Sequence, residues 1–567
     1  MKKIFALLLM LFILVPCIIA CGDNTTLSSA PSTGSSAPST DSSVPTTESS
    51  VPSTESSVPS TDSSVPSTDS SVPSTGNSGS TGNSGSTGNS GSTGSSSTVT
   101  VPSIPEGGDP NDVIPDVTKK WNGQTLNVLA TVWGESTDPG APWSQVELTV
   151  GDDDWTSNAH FGQKINYAVL QREKYIRDNY GVEINWINAR SAQIATLITN
   201  SMATGAGGTK YHIAMPRMME AQTIVSSQCI FNLAESEYIN LDNSYYNQVA
   251  RESYTVYDYT LFAAGDFSFL DEQTSYLIYY NMAMKENFEN FPDLYAKVRA
   301  GEWTIGEMTN VAKLLSNNLG SDEWTDEDVY GFGTTNLSRF YQYSGIQQVG
   351  VDARTGKYVI TLNDTRIDTL IDALLGIRSE KWARIDWTGG FEAMGNAFSD
   401  GRLLFYDEVV QKTDYFTNQT ENFKVGVLPT PKLSTSQESY YTPCSYQSVV
   451  MCIPRSTTDR EMSEYFFEVL SYTGQKYVMK AYKENLLSKL DPATAADSMD
   501  MLENYIFANL CYDQGYMYGW DGLLTSVQHD SYKSGKNNFT SVYGDAQEQA
   551  SKTVSKWNTN WGDYTED

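Results

Sequence analysis

Apolar and polar positions divide the chain into three stretches. The first is short: Lys2 and Lys3, then an unbroken apolar run from Ile4 to Val15. The second, from Ser28 to Gly94, has almost no apolar residue beyond scattered valines. The third begins near Trp121, where short apolar runs alternate with segments of helical period. Leu126–Ala130 predicts a short buried strand. Gln163–Tyr180 predicts a helix with Ile165, Val169, Ile176 and Tyr180 inward and Gly181 as its stop. A strand over Val182–Ile187 follows. Next come a helix capped by Ser191, with Ile194, Leu197, Ile198 and Met202 on one face, and a strand over Tyr211–Met215. Strand, helix, strand, helix, strand is a parallel α/β layout, in which ligands bind along the C-terminal edge of the strands.

Further along, Thr304 with Glu307 and Thr458 with Glu461 have the spacing of a capping box. The helices they open place Met308, Val311 and Leu315, and Met462, Phe466 and Leu470, on one face. Asp364 is placed to cap a helix with Ile367, Leu370, Ile371 and Leu374 inward. All three read as core elements.

The first stretch has the order of a secretory signal: basic start, short apolar core, small residues before a cleavage point. Ile18-Ile19-Ala20-Cys21 resembles a bacterial lipobox, which implies a signal over 1–20, lipidation of Cys21, for instance by palmitate, and attachment by acyl chains. Residues 21–118 form the expected tether. A seven-residue repeat, Ser-Ser-Val-Pro-Ser-Thr-Asp and its variants, runs to Gly76, and Asn-Ser-Gly-Ser-Thr-Gly recurs from Asn77 to Gly94. Such sequence offers too little apolar surface to offset chain entropy, so disorder is expected. As a flexible coil it reaches on the order of 50–60 Å.

Net charge is -31, which disfavours nucleic acid and anionic headgroups as partners. Cys229, Cys444, Cys452 and Cys511 remain after the signal and the lipidated residue, and no pairing is assigned to them. The three histidines (His160, His212, His529) are widely spaced, and no Cys/His cluster has zinc spacing. Asp152-Asp153-Asp154 lacks the glycine and distal glutamate of a calcium loop. Gly205-Ala206-Gly207-Gly208 lacks the spacing of a phosphate loop and reads as a turn. No nucleophile elbow or His-Glu-x-x-His is present. The abundance of Asp and Glu leaves a glycosidase carboxylate pair open. No cofactor or metal is expected.

Aromatic content changes the picture. The chain has 12 tryptophans, 34 tyrosines and 20 phenylalanines. Tyr and Trp combine a flat apolar face with a hydrogen-bond donor, the combination that sugar rings and hydroxyls require. Several patterns then carry a family resemblance, in order along the chain: Ala203–Glu235, Gly265-Asp266-Phe267 through Tyr279-Tyr280-Asn281, Glu302–Glu307, Phe398–Phe405 and Val425–Pro429. They resemble the extracellular solute-binding proteins, family 1, that serve ABC importers for sugars. The resemblance implies an α/β, two-lobed, periplasmic-binding-protein-like fold with a hinge and an interlobe cleft, preceded by the tether. The lobes are expected at 121–265 with 443–485 and at 268–440 with 490–567, and the hinge near Gly265, Pro443 and Leu490. It further implies a monomeric, non-catalytic receptor for a carbohydrate, with ABC permease subunits as partners, lipid-anchored at the outer face of a Gram-positive cell membrane. Candidate ligand contacts are Trp133, Glu135, Arg217, Asp266, Tyr343, Asp407, Tyr441, Tyr446 and Trp520. A surface-anchored carbohydrate-active enzyme and a sensory or adhesive glycan-binding module remain as alternatives.

Overall fold

The computed structural model describes residues 112–132 and 163–562, apart from 114, 204–209, 287, 321–322, 363–364, 386–389, 420–423, 513–514 and 516–533. The signal, Cys21 and both repeats lie outside the described residues.

Strand β1 (Gln124–Val132) lies between β2 (Val182–Arg190) and β3 (Ile213–Met215), all parallel. Helix α1 (Gln163–Tyr180) joins β1 to β2 and buries Ile165, Val169, Ile176 and Tyr180, as its period predicts. Gly181 ends it at φ +70°, a conformation that glycine adopts without steric penalty. Helix α2 (Ser191–Ala203) buries Ile194 and Ile198, but Met202, expected inward, is 42% exposed in its last turn. The sheet continues through single antiparallel bridges, Ala214 to Cys452, Arg217 to Val449 and Ala263 to Met451. Residues from three distant parts of the chain therefore build this first lobe.

The second lobe is a five-stranded sheet. Its strands in chain order are β4 (Tyr276–Asn281), β5 (Tyr330–Thr334), β6 (Ala383–Ile385), β7 (Leu403–Val409) and β8 (Val425–Leu428). Their spatial order is β6-β5-β7-β4-β8, with β5, β6 and β7 parallel and β4 antiparallel to both of its neighbours. Helices Ile305–Leu315 and Arg366–Ser379 cover it, burying Met308, Val311, Leu370 and Leu374. Thr304 caps the first, accepting from Glu307 N at 3.2 Å. Asp364, expected to cap the second, lies outside the described residues.

Among the described residues the chain passes between the lobes in at least three places. The first passage runs from Ala263 to Tyr276 and the second from Tyr440 to Val449. They pair with each other: Ser445 N donates to Thr274 O at 3.1 Å, and the Thr274 and Ser448 hydroxyls are 2.9 Å apart. The third passage is one long helix. Helix Arg460–Thr473 buries Met462, Phe466 and Leu470 against the first sheet; it continues through a π-helical turn, Gly474–Met479, into Lys480–Leu487. Tyr482 of that last part stacks on Phe269, 4.4 Å between centroids, in the core of the second lobe. The N-cap of this helix is Asp459, whose Oδ1 accepts from Met462 N at 2.9 Å. Thr458 was the expected cap; the side chain one residue later reaches the free N–H groups instead. The C-terminal helix, Phe539–Gly562, adds Phe539 and Val542 to the second core and Trp557 and Trp561 to a core around Tyr254.

Candidate functional site

Strands β5 and β7 are parallel, so both end at the same edge of the second lobe, with Thr334 in register with Asp407. Strand β4 starts at that edge, Tyr276 opposite Val409. Beyond Thr334 the chain folds back at once: Asn336 Oδ1 caps a short turn, and a one-turn helix, Phe340–Tyr343, follows. This return brings Arg339 and Tyr343 over the strand ends. Asp407 Oδ1 accepts from the Tyr343 hydroxyl at 2.6 Å; Oδ2 accepts from Thr334 Oγ1 at 2.7 Å and from Arg339 Nη1 at 3.2 Å. The Asp407 side chain is fully buried and that of Arg339 is 10% exposed. Three donors, one of them cationic, offset the cost of burying that carboxylate. Burial and the charge of Asp407 push the Tyr343 phenol well above its ordinary value, so it stays a donor. The guanidinium of Arg339 lies 4.2 Å from the ring centroid of Tyr276, within cation–π distance.

The first lobe presents the ends of β1 and β3. After Met215 the chain turns at Pro216, and Arg217 leads into helix Met218–Ser226. Glu220 Oε2 accepts from Arg217 N at 3.1 Å and from Thr131 Oγ1 at 3.3 Å. Arg217 Nη1 donates to Gln447 Oε1 of the second passage at 2.6 Å. Next to this pair, Met219 N donates to Tyr446 O at 3.2 Å, and the side chains of Met219 and Tyr446 are 46% and 39% exposed.

Of the residues singled out from sequence, Tyr343 and Asp407 meet at the second-lobe edge; Arg217 is fully buried against Gln447, the neighbour of Tyr446 in the second passage. Tyr441 lies in that passage, its carbonyl accepting from Thr430 Oγ1 at 2.6 Å and its ring pressed on Gly345. Asp266 lies in the first passage. Burial and the charge of nearby Glu272 push its carboxyl up to about 7, against the pull of Lys483 and a bond from Gln475. Trp133, Glu135 and Trp520 lie outside the described residues, as does Cys21. Tyr276, Arg339 and Gln447 were missed. Arg339 sits in the turn after the Phe332-Gly333-Thr334 strand end and Gln447 adjoins Tyr446, so position along the chain was a usable signal for both. Among the described residues no group of three or more His, Cys, Asp or Glu is placed to hold a metal. No helix among them is long and apolar enough to cross a membrane.

Two α/β lobes joined by several passages of the chain, with strand ends from both flanking the second passage, define a two-lobed periplasmic-binding-protein-like fold. Among solved structures, the sugar-binding protein MalE from the phytopathogen Xanthomonas citri matches over 78% of this chain and 100% of its own, at TM-score 0.50 and 10% identity. The GacH receptor of Streptomyces glaucescens matches over 78% and 100%, at TM-score 0.44 and 13% identity. Maltose-bound MalE3 of T. maritima matches over 76% and 100%, at 0.44 and 15%. The MalE likeness is one of fold. No family model matches the sequence, and no curated protein matches it.

Proposed function

We propose that this chain is the substrate-binding lipoprotein of an ABC importer, a non-catalytic receptor that captures a carbohydrate, an oligosaccharide in particular, between its two lobes. The observation that carries the reading is the pair of strand edges flanking the second passage. One holds Arg339 on Tyr276 over a fully bonded Asp407; the other exposes Tyr446 and Met219 beside the buried pair of Arg217 and Gln447. Directional donors next to flat apolar surface suit sugar hydroxyls and ring C–H faces, and lobe closure removes both from water. The fold shared with a sugar-binding MalE supports it. Trp133, Glu135 and Trp520 are proposed as further contacts. The lobes are taken at 121–265 with 443–485 and 268–440 with 490–567, the end of the last helix (Trp557, Trp561) packing back on a first-lobe core, and the receptor acts as a monomer. The lipobox-like Cys21 is proposed to hold the receptor at the outer membrane face of a Gram-positive cell, with permease subunits as partners.

Calorimetric titration of the purified protein with mono- and oligosaccharides tests the ligand class: saturable binding of a sugar is expected. Binding of another solute class and no sugar overturns it. Growth with labelled palmitate tests the anchor, with loss of label expected in Cys21→Ala.

A further inference from the structure

Asp407 is the carboxylate that position along the chain singled out as a ligand contact, yet its side chain is fully buried. Both oxygens already accept bonds from Tyr343, Thr334 and Arg339. It has no surface to offer. Arg339 differs. Its Nη1 is committed to Asp407 and its Nη2 donates to Thr335 Oγ1 at 3.2 Å. Its Nε makes no hydrogen bond to another described residue, and 10% of the side chain meets solvent at the strand edge. One flat face is covered by Tyr276. A guanidinium carries five N–H donors in a rigid plane and no acceptor. Gripped at one side by a buried carboxylate and backed by a ring, it presents its remaining donors in one fixed direction.

We propose that Arg339 is a specificity-determining donor of the interlobe site, held in position by Asp407, and that it selects neutral sugar hydroxyls over sugar carboxylates. The inference rests on the carbohydrate-receptor reading above. Its charge selectivity follows from what surrounds the guanidinium. Asp407 touches it, and Glu408, the next residue on β7, is buried as well. The cation is therefore already matched inside the protein. A ligand carboxylate brought to Arg339 gives up its hydration for a cation whose charge is spent, and it comes near one or two carboxyl groups of like kind. A hydroxyl takes the same N–H without that cost. The chain's net charge of -31 acts in the same direction at longer range.

The test is calorimetry of the full-length protein with neutral oligosaccharides (maltotetraose, raffinose, cellotetraose, xylotetraose) and with tetragalacturonate. Native protein is expected to bind at least one neutral sugar, and tetragalacturonate about tenfold more weakly or not at all. Arg339→Lys keeps the charge and loses the fork, and is expected to weaken neutral binding about tenfold. The double variant Arg339→Gln/Asp407→Asn leaves no unpaired buried charge and should lose at least as much. Asp407→Asn alone should narrow the neutral-to-acidic ratio, a readout that a purely structural role does not move. As a measurement independent of any variant, the bound neutral sugar should protect Arg339 of native protein from phenylglyoxal. Native-like binding by both Arg339 variants, or full labelling of Arg339 with sugar bound, overturns this proposal and leaves the sugar reading standing. So does tighter binding of tetragalacturonate than of every neutral sugar. If another solute class binds and no sugar does, the sugar reading falls and this proposal with it.

Discussion

Tyr343 gives its hydroxyl to Asp407 Oδ1 at 2.6 Å, joining residues 64 positions apart, and neither side chain reaches solvent. A buried carboxylate left short of a donor bears a desolvation cost that water cannot relieve. Tyr343→Phe removes that donor and little volume. It should lower unfolding free energy by about 1–3 kcal/mol, measured as a shift of the urea midpoint at unchanged slope. An unshifted midpoint would mean that Thr334 and Arg339 satisfy Asp407 unaided.

Gly474 begins the π-helical turn of the third passage, and a Cβ there would stand 2.1 Å from the carbonyl oxygen of Asp266 in the first. Its backbone is helical, φ -60°, so glycine is kept for the closeness of two passages and not for its own conformation. Gly376, inside helix Arg366–Ser379, has nothing within 4 Å of the same position. One substitution should therefore act with opposite signs. Gly376→Ala should raise stability by roughly 0.5–1 kcal/mol. Gly474→Ala should lower it by about 1–3 kcal/mol, since backbone must move to make room. Thermal unfolding of the two variants side by side checks this, and an equal shift in both would remove the packing argument.

Local pattern carried the first lobe well and the site only in part. Helix Gln163–Tyr180 is legible end to end because its buried positions follow the 3.6-residue period and Gly181 stops it. Strand β2 runs on to Arg190, beyond the expected Ile187; it lies at the edge of its sheet, and its last residues, exposed Asn188 and Arg190 around a small buried Ala189, carry little apolar signal. Met202 fits the apolar face by spacing but lies in the last turn of its helix, where it is exposed. The strand ends carrying Tyr343 and Asp407 could be placed from local sequence. The bond between Arg339 and Asp407 spans 68 residues and that between Arg217 and Gln447 spans 230. Pairings of that range follow from sheet order, which no local period encodes.

Residues 112–118, counted with the tether from sequence, are instead fastened to the first lobe. Asp112 accepts from Ser244 N at 2.7 Å and Ser244 Oγ at 2.6 Å. Val113 N donates to Asn243 Oδ1 at 3.3 Å, and Lys119 pairs with Glu461. These are surface bonds that water can replace, so the segment opens without global unfolding. Asp112→Ala should speed tryptic cleavage at Lys119 and Lys120 about fivefold. It should leave the global urea midpoint within about 0.5 kcal/mol of native. Cleavage at the native rate would show that the bonds further along hold the segment alone.

The carboxyls of the first passage should make stability depend on pH in a direction opposite to that of most paired carboxylates. Asp266 faces Glu272 from its own passage, Asp112 from the segment below it, Lys483 from the long helix, and the amide of Gln475. Burial comes first and Glu272 second in pushing its carboxyl up to about 7 from an ordinary 3.8. Glu272 is raised too, by burial and then by the charge of Asp271. A raised folded value means that the folded protein holds its proton to higher pH than the unfolded chain does. Between about pH 4 and pH 7 the folded state binds more protons, so stability falls as pH rises through that window and levels off above it. Asp266→Asn keeps the shape and cannot ionise. Its unfolding free energy should match the native protein's near pH 4 and exceed it at pH 8 by roughly 1–3 kcal/mol. That is less than the full shift implies, because Asp266 is partly exposed and screened. Urea titrations of both proteins at unit steps from pH 4 to pH 8 measure the difference directly. Parallel curves would show that Lys483 keeps Asp266 ionised throughout, and a native curve rising faster than the variant's would reverse the assigned sign.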